Sequence, residues 1–508
     1  MRFSVGEPLD AADVVAVAGG APVSFGDDAR ARVAAARAVI DDALASGETI
    51  YGVTTGFGAL AHTRVDPAQS STLQHGIVRS HATAVGAPLP REEARAMLLL
   101  RAHVLALGHS GVRPAVIDLM VSMLNDDVIP AVPQQGSLGA SGDLAPLANL
   151  ALPLIGHGEM LTAEGGVESA AAAMARAGLA PITLEAKEGL ALVNGTQGML
   201  AIGIIATERA ARLARTADVV AAMTIEASLG TDRPFDERLQ ALRPHPGQSA
   251  SASNLRRLLA GSPILASHRD SAHLVQDAYS LRCAPQVHGA TRDALAYACE
   301  VLRIEANSVS DNPIVLSDGE VLSGGNFHGQ PVAVALDTVA MALVSLGSIS
   351  ERRLYRLLDE HHSNGLPPFL VHGSGLNSGF MLVQYTAASL VSECKTLAHP
   401  ASVDSIPSSA GQEDHVSMGM TSARHAREVV ANVETVIALE ALGTAQALDL
   451  RSPLEPGPAT RAVHAAIRQR VPFFEADREF GPDIADAVSL VNEGALVAAA
   501  EAAIGPLG

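Results

Sequence analysis

The tripeptide Ala140-Ser141-Gly142 sits inside a breaker-rich run, Gly136-Ser-Leu-Gly-Ala-Ser-Gly-Asp-Leu-Ala-Pro146. The amide nitrogen of Gly142 has no side chain beside it to obstruct attack on the carbonyl two residues back. Ring closure there, with loss of water from the ring and of water from Ser141, would leave a five-membered ring carrying an exocyclic alkene. Such a ring is an electrophile, which no standard side chain supplies. The glycine spacing G-x-x-G-x-x-G matches neither the dinucleotide fingerprint nor a P-loop, because no Gly-Lys-Ser/Thr follows, so a phosphate cradle is not expected. The same residues also read as an ordinary loop entering a helix capped by Ser141 or Asp143. A bare Ala-Ser-Gly is common by chance and does not choose between the two readings.

Six further segments carry polar or breaker residues in chain order: Tyr51-Gly-Val-Thr-Thr-Gly-Phe-Gly58, Asn194-Gly-Thr-Gln197, Gln276-Asp-Ala-Tyr-Ser-Leu-Arg282, Ser310-Asp-Asn-Pro313, Gly325-Asn-Phe-His328 and Gln412-Glu-Asp-His-Val-Ser-Met418. Together with residues 136–148 they resemble, in family order, the motifs of the aromatic amino-acid ammonia-lyases. The similarity runs from about residue 5 to about residue 450. It implies that Ala140, Ser141 and Gly142 mature to 4-methylidene-imidazol-5-one (MIO), so that no external cofactor and no metal is needed. It also implies roles. Tyr51 would be the base for the β-proton, and its phenolate would need a nearby positive dipole or cation, since a free phenol titrates at about 10. Arg282 would hold the substrate carboxylate with its planar fork. Asn194 and Gln276 would hydrogen-bond the MIO ring and the substrate, Tyr279 would assist MIO formation and substrate placement, and Phe327 would bound the substrate ring. Family members are homotetramers with active sites shared between subunits, and the same is expected here.

Two positions speak to the substrate. Ser80-His81 resembles the pair found in histidine-selective members, where tyrosine- and phenylalanine-selective relatives tend to show His-Leu or Phe-Leu. Glu413 stands where aromatic-selective relatives tend to carry an amide. A carboxylate can accept an imidazole N–H and stabilise its positive charge, whereas a phenyl ring would leave it buried and unpaired. On local pattern alone Glu413 also reads as a helix-capping or solvated residue. The resemblance therefore implies elimination of ammonia from L-histidine to trans-urocanate, the first step of histidine degradation. A tyrosine or phenylalanine ammonia-lyase, an MIO-dependent aminomutase and a helical protein without catalysis are the competing expectations. Ala84, where the family usually has glycine, and Gly411 depart from the pattern and bear on pocket shape rather than on reaction class.

These groups must be held by helices. Helical pattern covers 11–48, 68–84 and 91–126, and long helical signals follow over 328–360, 376–400 and 421–450. Val429, Val430, Val433, Val436 and Ile437 fall on one face of a 3.6-residue period. Strand signals are few and short. The expected fold is mainly α: a central bundle of long helices with an N-terminal, loop-rich region carrying the MIO segment. The best single break lies near 195, giving regions 1–195 and 196–508.

Composition agrees with a large packed core. Hydrophobic residues make up 48% of 508, yet aromatics only 3% with no Trp, so Ala, Val and Leu must build the interior. The net charge of −19 argues against a nucleic-acid partner or an anionic membrane surface; the small-molecule amino-acid partner is what the resemblance implies. Three cysteines cannot form a fully paired framework, the N-terminus has no apolar signal region, and Asp337 interrupts the most membrane-like stretch, Pro331–Ile349. A cytoplasmic protein is expected. Glu360-His-His362 lacks the spacing of a zinc helix and reads as a solvated loop.

Overall fold

The computed structural model describes residues 3–56, 58, 63–271 and 275–508. The chain forms two compact units, each assembled from three stretches: Met1–Ile205, Ala298–Asp337 and Pro400–Arg424 in the first, Ala206–Tyr297, Thr338–His399 and His425–Gly508 in the second. The sequence pattern suggested one break near 195. Four of the five crossings between the units fall inside helices Gln197–Ala227, Ala284–Ala306, Gln330–Leu358 and Gly419–Leu450.

In the first unit several expected helices are subdivided. The pattern over 11–48 becomes Ala11–Ala18 and Asp27–Ser46, separated at Gly19-Gly20 by the strand Val23–Phe25, which pairs in parallel with Phe3–Val5. Asp10 and Asp13 form a capping box at the first of these helices. The pattern over 91–126 becomes Arg91–Ala106 and Pro114–Asn125, because Gly108 and Gly111 adopt positive φ and Pro114 starts the next helix. Among the described residues β-structure is confined to four two-stranded ribbons.

Helix Arg91–Ala106 is buried from Glu93 to Ala106, so it has no solvent face and its polar side chains must find internal partners. Arg101 donates to the carbonyl oxygens of Asn194 (3.0 Å) and Ala191 and to Gln197 Oε1 (2.7 Å). Those acceptors lie at the end of helix Glu188–Val193 and the start of Gln197–Ala227. One buried guanidinium thus fixes the turn that carries Asn194.

The second unit is built from long helices. Gly419–Leu450 buries Val429, Val430, Val433, Val436 and Ile437, each at most 1% exposed, as their spacing predicts. Close helix packing explains the shortage of aromatics: a Cβ on Gly347 would meet Val433 Cγ2 at 3.0 Å. One buried ion pair of this unit centres on Glu440. Glu440, fully buried, accepts from Arg353 Nε (2.5 Å) and Nη2 (2.8 Å), from Ser350 Oγ (2.6 Å) and from Thr224 Oγ1 (2.7 Å). The apolar helix Gln330–Leu358 is long enough to cross a bilayer, but 61% of its most apolar window is buried inside the fold. Asp337 on it is buried and accepts the Ser402 amide N–H at 2.8 Å.

Candidate active site

The loop from Gly136 to Gly142 depends on glycine. Gly142 has φ +73°, and a Cβ there would lie 2.0 Å from the carbonyl oxygen of Gly195, to which it is bridged in parallel. No other residue fits. The contact is sealed by the next residue, whose amide N–H donates to Gly195 O at 2.7 Å.

That residue is Asp143, at the cap position of helix Leu144–Ala151, yet its side chain does not cap this helix. It turns instead to the start of Gln197–Ala227, accepting the Met199 amide N–H (2.7 Å) and the Ser137 hydroxyl (2.7 Å). Complete burial pushes its carboxyl up to about 6 against those donors. The expected capping role is therefore redirected: Asp143 ties the tripeptide loop to the turn at Asn194.

Ser141 Oγ donates to Glu413 Oε1 at 3.0 Å, and Glu413 Oε2 accepts from Ser408 Oγ at 2.7 Å. Residues 272 apart in sequence are thus joined at Ser141. Glu413 is half-buried there and bonded through both carboxylate oxygens. His81 ends helix Ser70–His81 and shares the same cavity. Burial lowers the affinity of its ring for a proton, while the Ile77 carbonyl and the Glu413 charge pull the other way.

The cavity measures about 1030 Å³. Tyr51, His81, Ala140, Ser141, Asn194, Phe327 and Glu413 all line it. The phenolic oxygen of Tyr51 accepts the Gly58 amide N–H at 2.9 Å, so a positive dipole meets the oxygen. Phe57 of the same motif lies outside the described residues. Asn194 Nδ2 donates to Asn312 O at 3.1 Å, which leaves Oδ1, buried and without a partner, as the free end of the amide.

Gln276, Tyr279 and Arg282 are not among the residues lining this cavity. They belong to the second unit, where they form their own cluster. Arg282 donates to Gln276 Oε1 and stacks 4.7 Å above the Tyr279 ring, which is 69% exposed.

Several lining or supporting residues escaped the sequence reading. Ser408, Asn312, His328 and His415 join the site only through folding. Arg101 supports it from inside a helix whose composition reads merely as core. Asn312, His328 and His415 lie within the ordered motifs, so their position carried a signal that residue type alone did not interpret. Among the described residues no cluster of side chains suits a metal ion.

Comparison with known proteins adds independent information. A family model described as aromatic amino acid lyase matches residues 9–469. The histidine ammonia-lyase of Sorangium cellulosum (strain So ce56) is 56% identical over 513 residues, covering 99% of each chain. Among solved structures, histidine ammonia-lyase from Trypanosoma cruzi superposes with TM-score 0.92 at 44% identity, covering 99% of this chain and 96% of that one. Tyrosine aminomutase from Streptomyces globisporus superposes with TM-score 0.94 at 40% identity, covering 99% of each.

Proposed function

This chain belongs to the aromatic amino acid lyase family, and from that premise we infer that it is a histidine ammonia-lyase, eliminating ammonia from L-histidine to give trans-urocanate. The observation that carries the substrate choice is the carboxylate of Glu413, hydrogen-bonded to Ser141 in a cavity that His81 also lines. An imidazole offers that carboxylate a donor; a phenyl ring offers none and leaves it desolvated. The two solved structures named above have nearly equal TM-scores but are named for different reactions, so backbone shape alone does not discriminate.

The residues fit an MIO group formed from Ala140-Ser141-Gly142. Gly142 has the open backbone that cyclisation requires, Ala140 and Ser141 line the cavity, and Asn194 Oδ1 is an unpartnered buried acceptor there for a donor of the substrate. Once formed, the ring supplies an electrophilic alkene that helps to labilise the amine and the β-proton. The chain's own groups do the rest. Tyr51 takes the β-proton, with the Gly58 N–H stabilising charge on its oxygen. Glu413 and His81 orient the imidazole, Phe327 bounds it, and Asn194 Oδ1 accepts from a donor of the substrate. Arg282 binds the substrate carboxylate, with Gln276 and Tyr279 beside it.

Those last three residues are read as entering the cavity from a neighbouring copy in a homotetramer. The exposure of Tyr279 supports this. So do the uncovered apolar side chains of Met341, Tyr355, Leu382 and Tyr385 on long helices of the second unit, each at least 45% exposed. Cys283, Cys299 and Cys394, none of them in a disulfide, fit the reducing cytoplasm.

The test is an ultraviolet assay with histidine, tyrosine and phenylalanine offered separately. Urocanate as the dominant product is expected. Preferred formation of coumarate or cinnamate, or of a β-amino acid, would overturn the reading.

A further inference from the structure

The motif Gly325-Asn-Phe-His328 contributes Phe327 to the proposed reaction, but His328 has no part in it. Its ring is nevertheless fixed at both nitrogens. The Gln330 amide N–H, first in helix Gln330–Leu358, points to His328 Nδ1 at 3.3 Å. An amide N–H can only donate, so Nδ1 is the acceptor and Nε2 carries the proton. That Nε2–H donates to the carbonyl oxygen of His415 at 3.2 Å. The two imidazoles also lie nearly parallel, 7° apart with centroids at 5.9 Å.

His415 is two residues from Glu413. The segment that carries both is anchored to the tripeptide loop further along, by Ser417 Oγ donating to Gly139 O (2.9 Å) and Met418 N donating to Leu138 O (2.8 Å). On the other side, Gly329 N donates to the same Gly139 oxygen at 3.2 Å. Three separate segments therefore meet at residues 138–139. Nearer the carboxylate, the bond from His328 is what joins the Phe327 segment to the Glu413 segment.

We propose that His328 is a positioning residue for the imidazole-binding carboxylate: its neutral ring pins the His415 carbonyl and thereby sets where Glu413 stands relative to Ser141 and the substrate. This rests on the reading of Glu413 as the imidazole acceptor. The link is selective in form. It acts through a backbone carbonyl and leaves the Gln330 cap as a separable function.

Two substitutions separate the functions. In His328→Asn the shorter side chain keeps an oxygen for the Gln330 amide but cannot reach His415. In His328→Gln an amide N–H extends far enough to restore that contact. Each variant is compared in wild-type and Glu413→Gln backgrounds, with intact mass giving the matured fraction and hydrogen exchange reporting on residues 412–418. The expected result is a loss of about tenfold in kcat/KM for histidine per matured site in His328→Asn, the worth of one well-made hydrogen bond. Exchange over 412–418 should rise, His328→Gln should recover much of the loss, and the same Asn substitution should cost little once Glu413 is gone. Equal losses in both backgrounds, or wild-type kinetics and exchange in His328→Asn, would overturn the proposal. If Glu413→Gln alone leaves histidine turnover intact, the reading of Glu413 fails instead, which is a different result.

Discussion

At the scale of single residues the proposed chemistry turns on Ser141 and its two neighbours. Ser141→Ala removes the hydroxyl that must leave. The purified chain should then keep the mass its own sequence dictates, without the loss of two waters that marks the matured wild type, and histidine turnover should fall by orders of magnitude. A matured mass in that variant would refute the origin of the electrophile. Gly142→Ala is expected to fail earlier, since its methyl would collide with Gly195 O and its φ is unfavourable for any side chain. Glu413→Gln keeps shape and loses charge, so kcat/KM for histidine should drop while turnover of phenylalanine, if measurable, should not fall with it. A parallel loss for both substrates would mean that Glu413 acts on the tripeptide rather than on imidazole.

At the scale of elements, helix Arg91–Ala106 is the frame behind the site. Arg101→Met would leave the carbonyls of Asn194 and Ala191 without their buried donor. A destabilisation of roughly 3 kcal/mol is expected for such a broken network, read as a lowered thermal midpoint together with a weakened Asn194 contact in KM. His103 on the same helix is buried, its Nδ1 accepts the Gly6 amide N–H, and burial pushes its pKa down to about 4. The folded protein therefore binds fewer protons than the unfolded chain between about 4 and the ordinary 6.5. Stability from this group is present above 6.5 and lost as the pH falls towards 4. Asp143, raised to about 6, works the other way, contributing most at low pH and losing that contribution as the pH rises through 6. In His103→Gln the acid-side decline of the unfolding midpoint should flatten; an unchanged pH profile would show that His103 does not govern it.

At the scale of the whole molecule the question is assembly. The cavity gathers Tyr51, His81, Asn194, Phe327 and Glu413 in one unit, while Gln276, Tyr279 and Arg282 cluster in the other. If neighbouring copies complete each site, Tyr51→Phe and Arg282→Met should each be inactive alone. Co-expressed, they should regain part of the wild-type activity, because some mixed sites hold both native residues. No recovery in mixed oligomers would mean that each chain furnishes its whole site. The same apolar helical surfaces predict a concentration-dependent loss of activity on dilution, matched by a fall in sedimentation coefficient.

Much of this was legible in the chain because chemistry and periodicity are local. Ala140-Ser141-Gly142 can cyclise by virtue of its own atoms, and the face formed by Val429, Val433 and Val436 follows from a 3.6-residue repeat that burial then enforces. The ordered motifs likewise marked Tyr51, Asn194 and Glu413 before any partner was known. Tertiary structure alone decided who those partners are. Asp143 reads as a helix cap and becomes a clamp on another helix; Arg101 reads as core and becomes the support of a turn; Glu413 reads as solvated or capping until Ser141 is brought to it from 272 positions away. Hydrogen-bond partners of buried polar groups are set by which segments the core forces together, and the order of residues along the chain does not encode that meeting in any local pattern.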